Sequence, residues 1–243
     1  MTPTSLEILK ALETTTINHF EIVFLIPAVL FVYAYVISKK NWPAVFGGLA
    51  FFFADVFNEL ADTIVLFASG YAPIWGTPKA SSTGWLLLPG WCFEIACMFA
   101  IGAVPFILID GVFQKKWSAQ KQIGYDVAST QNYRMKKFAG LYLSQWVLAF
   151  AGSLLALVVE MLLNRAGLLT WEWAWWGKSG GLSLIPVFVL GYLWFYCFAF
   201  WVSNRETVKK QAIAVSVLAA IDLILFMFCL CRDWIITYNP PAV

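Results

Sequence analysis

The sequence is short of charge and almost without histidine. Lysine, arginine, aspartate and glutamate make up 12% of its 243 residues, against about 25% in ordinary soluble domains. So sparse a supply cannot clothe a water-soluble fold. His19 is the single histidine, which excludes the paired Glu-x-x-His motifs of di-iron and di-manganese helix bundles. The expectation is no metal and no cofactor, with an all-oxygen Mg2+ or Ca2+ site as the alternative. Cys92, Cys97, Cys197, Cys229 and Cys231 lie inside or at the end of apolar segments, where a thiol packs as a small hydrophobe. Cys229 and Cys231 stand two apart, too close for a C-x-x-C redox pair. No basic surface is interleaved with aromatics, so nucleic acid is excluded as a partner. With no internal repeat and no second domain in view, residues 1–243 read as a single integral membrane helical domain.

What is abundant points the same way. Apolar residues reach 61% and aromatic ones 18%, and the mean hydropathy is +0.75. These values predict an all-α, polytopic transmembrane helix bundle. Six spans are expected, at about residues 16–38, 44–68, 85–113, 138–164, 182–203 and 212–231, the first kinked by Pro27 and the third interrupted at Pro105. Ahead of them Thr4 and Glu7 have capping-box spacing, and Leu6, Leu9 and Leu12 share one side, which predicts an interfacial helix. If that segment spans instead, the count becomes seven. The first apolar run lies too deep, with the wrong flanks, for a cleaved leader. Residues 165–181 gather Trp171, Trp173, Trp175 and Trp176, a density that belongs to the membrane–water interface.

The basic residues set the expected orientation. Lys39 and Lys40, then Lys115, Lys116, Lys121, Arg134, Lys136 and Lys137, then Arg205, Lys209 and Lys210 follow the first, third and fifth spans. Only Lys10, Lys79, Arg165, Lys178 and Arg232 occupy the other side, so both termini are expected to be extracytoplasmic. The basic stretch 114–137 serves that topology, with anionic-lipid binding as its alternative role.

The chain is organised around the second span. It is apolar enough to cross a bilayer, yet Asp55, Asn58, Glu59 and Asp62 fall at i, i+3, i+4 and i+7, one face of a helix. An acid at the bilayer centre costs about 2.5–3.5 kcal/mol or more. That stripe must therefore face other helices, a cavity or an ion. His19 and Glu21 begin the first span, Glu94 lies in the third, Glu160 and Asn164 close the fourth, and Asp222 sits mid-way along the sixth. At about 1.5 Å per residue nearly all reach the outer half of the membrane, with Asp110 alone at the inner end, where a snorkelling or interfacial role is expected. One polar chamber follows, open or gated to the outside and capped by the tryptophans.

Such a chamber suits three kinds of protein. A carboxyl group among apolar walls, beside a second carboxylate, can hold its proton at neutral pH and act as a general acid on an apolar substrate arriving from the lipid. Asp55 and Glu59, one turn apart, have that relation, and aromatic faces such as Phe51, Phe52, Phe53 and Phe57, or Trp91 and Phe93 beside Glu94, would stabilise a carbocation. Proton or ion passage is the second reading, weakened by an inner half with few polar residues. A non-catalytic subunit of a larger membrane assembly, or a homo-oligomer, is the third.

Two resemblances bear on the choice. The turn SKKNW followed by DVFNE, with Asp222 late in the chain, resembles the small membrane-integral terpene cyclases of meroterpenoid pathways, in which an early-helix Glu and a late-helix Asp are essential. Glu59 matches that Glu and Asp222 that Asp, while Asp55 stands where the family has Asn and Asn58 where an aromatic is common. The run VVEMLLNRAGLLTWEWAWW with GGLSLIPVFVLGY is similar to membrane carotenoid hydratases. Both imply cofactor-independent protonation or hydration of an isoprenoid double bond or epoxide. On that implication Glu59 and Asp222 are the acid and its partner, Asp55 tunes Glu59, and Glu94 and Glu160 supply the base or support the reacting acids from behind. Asn58, Asp62, His19, Asn164, Trp91, Phe93, Trp171 and Trp173 are the expected substrate-binding residues.

Overall fold

The computed structural model describes residues 1–15, 19–79, 85–122 and 137–235. Its centre is α3, Trp42–Ser69, 28 residues and so about 42 Å long. Local chemistry fixes both ends. The Asn41 side chain accepts from the Ala44 N–H at 3.3 Å, Pro43 occupies the first turn, and Gly70 closes the helix at φ +61°, a left-handed conformation open to glycine at no steric cost. Small residues lie in its N-terminal half. A Cβ on Gly47 would stand 3.2 Å from the Ala199 carbonyl oxygen, and one on Gly48 would stand 2.8 Å from the Tyr33 hydroxyl. Neighbouring backbones can therefore approach closely.

Around α3 lie α2 (Ile26–Ser38), α4 (Phe93–Gly102), α5 (Val104–Gln122), α7 (Gly181–Ser203) and α8 (Val208–Cys231), while α6 (Leu143–Arg165) packs on α5 and α7. The core between them is aromatic. Phe51 lies 4.6 Å from the Tyr196 ring and 5.3 Å from Phe99, with Phe195 edge-on at 5.7 Å. Four helical stretches are long and apolar enough to cross a membrane: Phe93–Phe113, Leu143–Arg165, Gly181–Ser203 and Val208–Cys231. Val23–Ser38 is a shorter apolar helix.

Several expectations are corrected. The first helix, α1, is Pro3–Thr14, and its cap is Thr2, whose hydroxyl accepts from the Ser5 N–H at 3.1 Å. Its buried face is Ser5, Ile8, Ala11 and Leu12, and Leu6 is exposed, because Ile8 and Leu12 pack on Leu86 and Cys92. Pro27 sits in the first turn of α2, just after a wide π-type turn at Glu21–Leu25, which absorbs the N–H that proline lacks. The third span divides at Ala103, so that Pro105 opens α5, and residues expected in its first turns form a hairpin of β2 (Leu86–Leu88) and β3 (Trp91–Cys92). That hairpin follows β1 (Trp75–Gly76). A second hairpin, β4 (Lys137–Phe138) with β5 (Leu141–Tyr142), precedes α6, and β6 (Thr170–Trp171) pairs back on β1.

Asp110 is buried in the bundle and does not snorkel to the surface. It is 3% exposed, accepting from the Gln145 side chain at 2.9 Å and from the Ser144 hydroxyl at 3.1 Å. Gln145 in turn exchanges hydrogen bonds with Asn204 at 2.7 and 3.0 Å, so a closed polar knot ties α5, α6 and the end of α7 together. The greater part of the basic stretch 114–137, and Ile17, Asn18 and the end of the chain, fall outside the described residues.

Candidate functional site

The stripe predicted on α3 does open into a cavity. About 260 Å³ in volume, it is walled by α3, α4, α6 and α7, with Asp55, Asn58 and Glu59 on the first of these and Glu160 on the third. The helix period explains the walls. Ile95, Met98, Phe99 and Gly102 line it from α4, and Gly152, Leu155, Ala156, Val159, Glu160 and Leu163 from α6, each set recurring every three or four residues.

Each of the three acids is held by a tryptophan. Trp91 Nε1 donates to Asp55 Oδ2 at 2.7 Å, Trp75 Nε1 to Glu59 Oε1 at 2.8 Å, and Trp171 Nε1 to Glu160 Oε1 at 2.9 Å. The last two indoles are set by one device, because Trp75 and Trp171 are directly opposite in the antiparallel β1–β6 pair. Asp62 secures that strand to α3. Its Oδ1 accepts from the backbone N–H groups of Ile74 and Trp75, which anchors the loop, while its Oδ2 has no hydrogen-bond partner among the described residues. Trp176 stacks on Trp75 with centroids 5.2 Å apart, and Gly177, at φ +70°, lies where any side chain would enter the Trp171 ring.

From the fourth wall, α7 supplies a local irregularity. A wide π-type turn at Val187–Leu193 loosens the usual ladder, and the Leu190 carbonyl accepts from Asn58 Nδ2 at 2.9 Å and from Trp194 Nε1 at 2.7 Å. The same turn brings Gly191 and Tyr192 to the cavity, with the Tyr192 hydroxyl within hydrogen-bonding reach of Glu160.

The electrostatics are one-sided. Asp55, Glu59 and Glu160 are 3%, 3% and 6% exposed, and among the described residues no lysine, arginine or histidine lines the cavity and Glu59 Oε2 has no hydrogen-bond partner. Buried acids without a counter-charge hold protons or await a ligand. Apart from Asn58 and the tyrosines, the remaining lining is largely apolar and reaches the surface at α4 and α6, where Met98, Leu155 and Val159 are 51%, 58% and 39% exposed. In a membrane those side chains meet acyl chains.

Other predicted site residues lie elsewhere. Asp222 is 4% exposed on α8, which contributes no residue to the cavity; neither of its oxygens has a partner among the described residues. Glu94 lies in the first turn of α4, beside the lining row rather than on it, where an acid suits the helix N-terminus. His19 is exposed and Asn164 half-buried, neither lining the cavity. Phe93 stacks on Trp85, and Trp173 donates to the Ala72 carbonyl at 3.2 Å. Trp75, Trp176, Tyr192 and Gly90 were not legible as site residues. Gly90 matters through space: an added Cβ would fall against the Trp75 indole and 2.9 Å from Glu59 Oε2. Gly90→Ala is therefore expected to displace Trp75 and to cost about 1–3 kcal/mol, read as a fall in the detergent melting temperature. Unchanged melting would mean that Trp75 yields freely.

The model of an uncharacterized membrane protein family matches residues 2–116 and 127–231. The chain belongs to that family. The two matched stretches contain every residue that lines the cavity, so the site lies wholly within the family region. An uncharacterized protein of Archaeoglobus fulgidus is 33% identical over 230 residues, covering 94% of this chain and 97% of its own. No solved structure matches. The family membership and the apolar helices make the chain an integral membrane protein in contact with the lipid bilayer.

Proposed function

We propose that this family member is a membrane-embedded acid–base enzyme acting on an unsaturated, isoprenoid-like substrate that enters from the bilayer. The observation that carries the reading is the cavity itself: three carboxyl groups without a counter-cation, each fixed by an indole N–H, in an apolar space that reaches the lipid-facing surface. At about 260 Å³ it sits just under the usual ~300–1,000 Å³ of small-molecule sites. It holds the reacting end of a substrate whose tail leaves between α4 and α6.

Glu59 is the proton donor in this scheme. Its carboxyl proton goes to an alkene carbon or an epoxide oxygen. With an alkene the π pair forms the new C–H bond and leaves a carbocation; with an epoxide the C–O bond breaks, its electron pair staying on oxygen. The faces of Trp75, Trp176 and Phe51 stabilise the positive charge. Glu160, oriented by Trp171 and Tyr192, then takes a proton from the neighbouring carbon, or from a water that adds to the cation. The first ending gives an isomerised or cyclised olefin and the second an alcohol. Asp55, one turn from Glu59, disfavours a second negative charge there and so helps keep the proton in place. No cofactor is required, and the late acid Asp222 is not needed.

We place α2 and α3 across the membrane with the four longer apolar stretches, giving six spans, with both termini extracytoplasmic. On this reading the proton comes from the outer aqueous face, under the tryptophan loops. The decisive experiment supplies purified protein in nanodiscs, in D2O, with polyprenyl alcohols, polyene hydrocarbons and terpenoid epoxides in separate incubations. Carbon-bound deuterium in an alkene-derived product, or conversion of an epoxide, supports the reading. Complete recovery of all three lipid classes unlabelled and unconverted overturns it.

A further inference from the structure

We infer that the polar end of the cavity is built to hold a hydroxyl group carried on an apolar chain, an inference that rests on the proposed reading of this site and names the headgroup it takes. Two buried polar atoms of the lining have no hydrogen-bond partner among the described residues: Glu59 Oε2 and Trp176 Nε1. Both residues are 3% exposed. They flank the same ring, since Trp75 donates to the other oxygen of Glu59 at 2.8 Å and stacks on Trp176 at 5.2 Å.

The chemistry of this pair selects among headgroups. A carboxylate or phosphate would enter a space lined by three acids and no basic side chain, so anionic lipids are rejected. An ammonium would suit the acids but has no lone pair for the indole N–H. A hydrocarbon leaves both groups unsatisfied. A hydroxyl donates to the carboxylate oxygen and accepts from the indole; with Glu59 protonated, its oxygen has lone pairs for both donors. Three glycines of the lining let aromatic rings pack on bare backbone: Gly102 against Phe51, Gly152 against Tyr196 and Gly191 against Trp176.

The test is equilibrium binding of tritiated geranylgeraniol to the full-length protein in nanodiscs, with competition by the C20 hydrocarbon, amine and carboxylic acid of the same chain. The alcohol is expected to compete at least about tenfold better than each of the others, the amount expected for one buried polar group left unpaired. Trp176→Phe should weaken the alcohol about tenfold and leave hydrocarbon competition unchanged. Binding of the hydrocarbon, amine or acid as tight as that of the alcohol or tighter, or a Trp176→Phe protein that binds the alcohol normally, would overturn the inference. The wild-type competition series decides the matter even if that variant does not fold. Selective alcohol binding with no conversion of any lipid keeps this inference and removes catalysis; conversion of hydrocarbons or epoxides without alcohol selectivity does the reverse.

Discussion

Glu59→Gln is expected to leave a protein that folds and melts like the wild type but no longer carries solvent deuterium into an isoprenoid lipid. The amide has the shape of the carboxyl group, and its oxygen can accept from Trp75 Nε1 where Glu59 Oε1 does now, at 2.8 Å. Because no basic side chain lines the cavity, the substitution strands no counter-charge. Only the transferable proton is removed, so the rate should fall by about 10²–10⁴, with the melting temperature within a degree or two of wild type. A variant that aggregates would instead mark Glu59 as a structural acid, and one that keeps its rate would place the proton donor elsewhere. Glu160→Gln should slow the reaction as well while leaving alcohol binding intact, since Glu160 acts after the first proton transfer in the proposed sequence.

The second large effect is on stability. Trp75→Ala removes the ring that stacks on Trp176 and the donor that occupies Glu59, and loss of a buried tryptophan side chain costs about 3–5 kcal/mol. The melting temperature should drop by roughly ten degrees for a chain of this size. Trp75→Phe separates the two contributions. It keeps an aromatic ring against Trp176 but not the N–H, so most of the stability should return while turnover stays depressed. Equal behaviour of the two variants would mean that the indole hydrogen bond has no part in holding the acid.

The organising helix was legible because its signal is local. Acids at 55, 59 and 62 inside an apolar run state both a helix and a buried face, and the structure places α3 at the centre of the bundle. Glu160 was legible for the same reason, and the tryptophan-rich segment did prove to close over the acids through Trp171 and Trp176. How a neighbouring helix is rotated about its own axis is not a local property. Glu94 misses the α4 lining row by one position, and Asp222 sits on a helix that packs on α3 without reaching the cavity. Periodicity locates such residues along a helix but not around the bundle.

Loop residues were harder still. Trp75 is one tryptophan in a loop rich in glycine and proline, and its role depends on β6 arriving opposite it from almost a hundred positions later. Asp62 accepts from backbone N–H groups of that loop, which no side-chain pattern announces. The burial of Asp110 was equally hidden, because Gln145, which donates to it, and Asn204, which bonds Gln145, come from other parts of the chain.

The central claim is that Asp55, Glu59 and Glu160 share one cavity that a lipid enters between α4 and α6. Photolabelling tests it most directly. An isoprenoid alcohol bearing an alkyl diazirine is irradiated with the protein in nanodiscs, and the modified peptides are located by mass spectrometry, with and without excess unlabelled alcohol. Competable labelling is expected only on the peptides that carry Asp55 and Glu59, Met98, and Leu155 to Glu160. Labelling that excess alcohol does not reduce, or that concentrates on the outer face of α8 around Leu223 and Ile224, would contradict it.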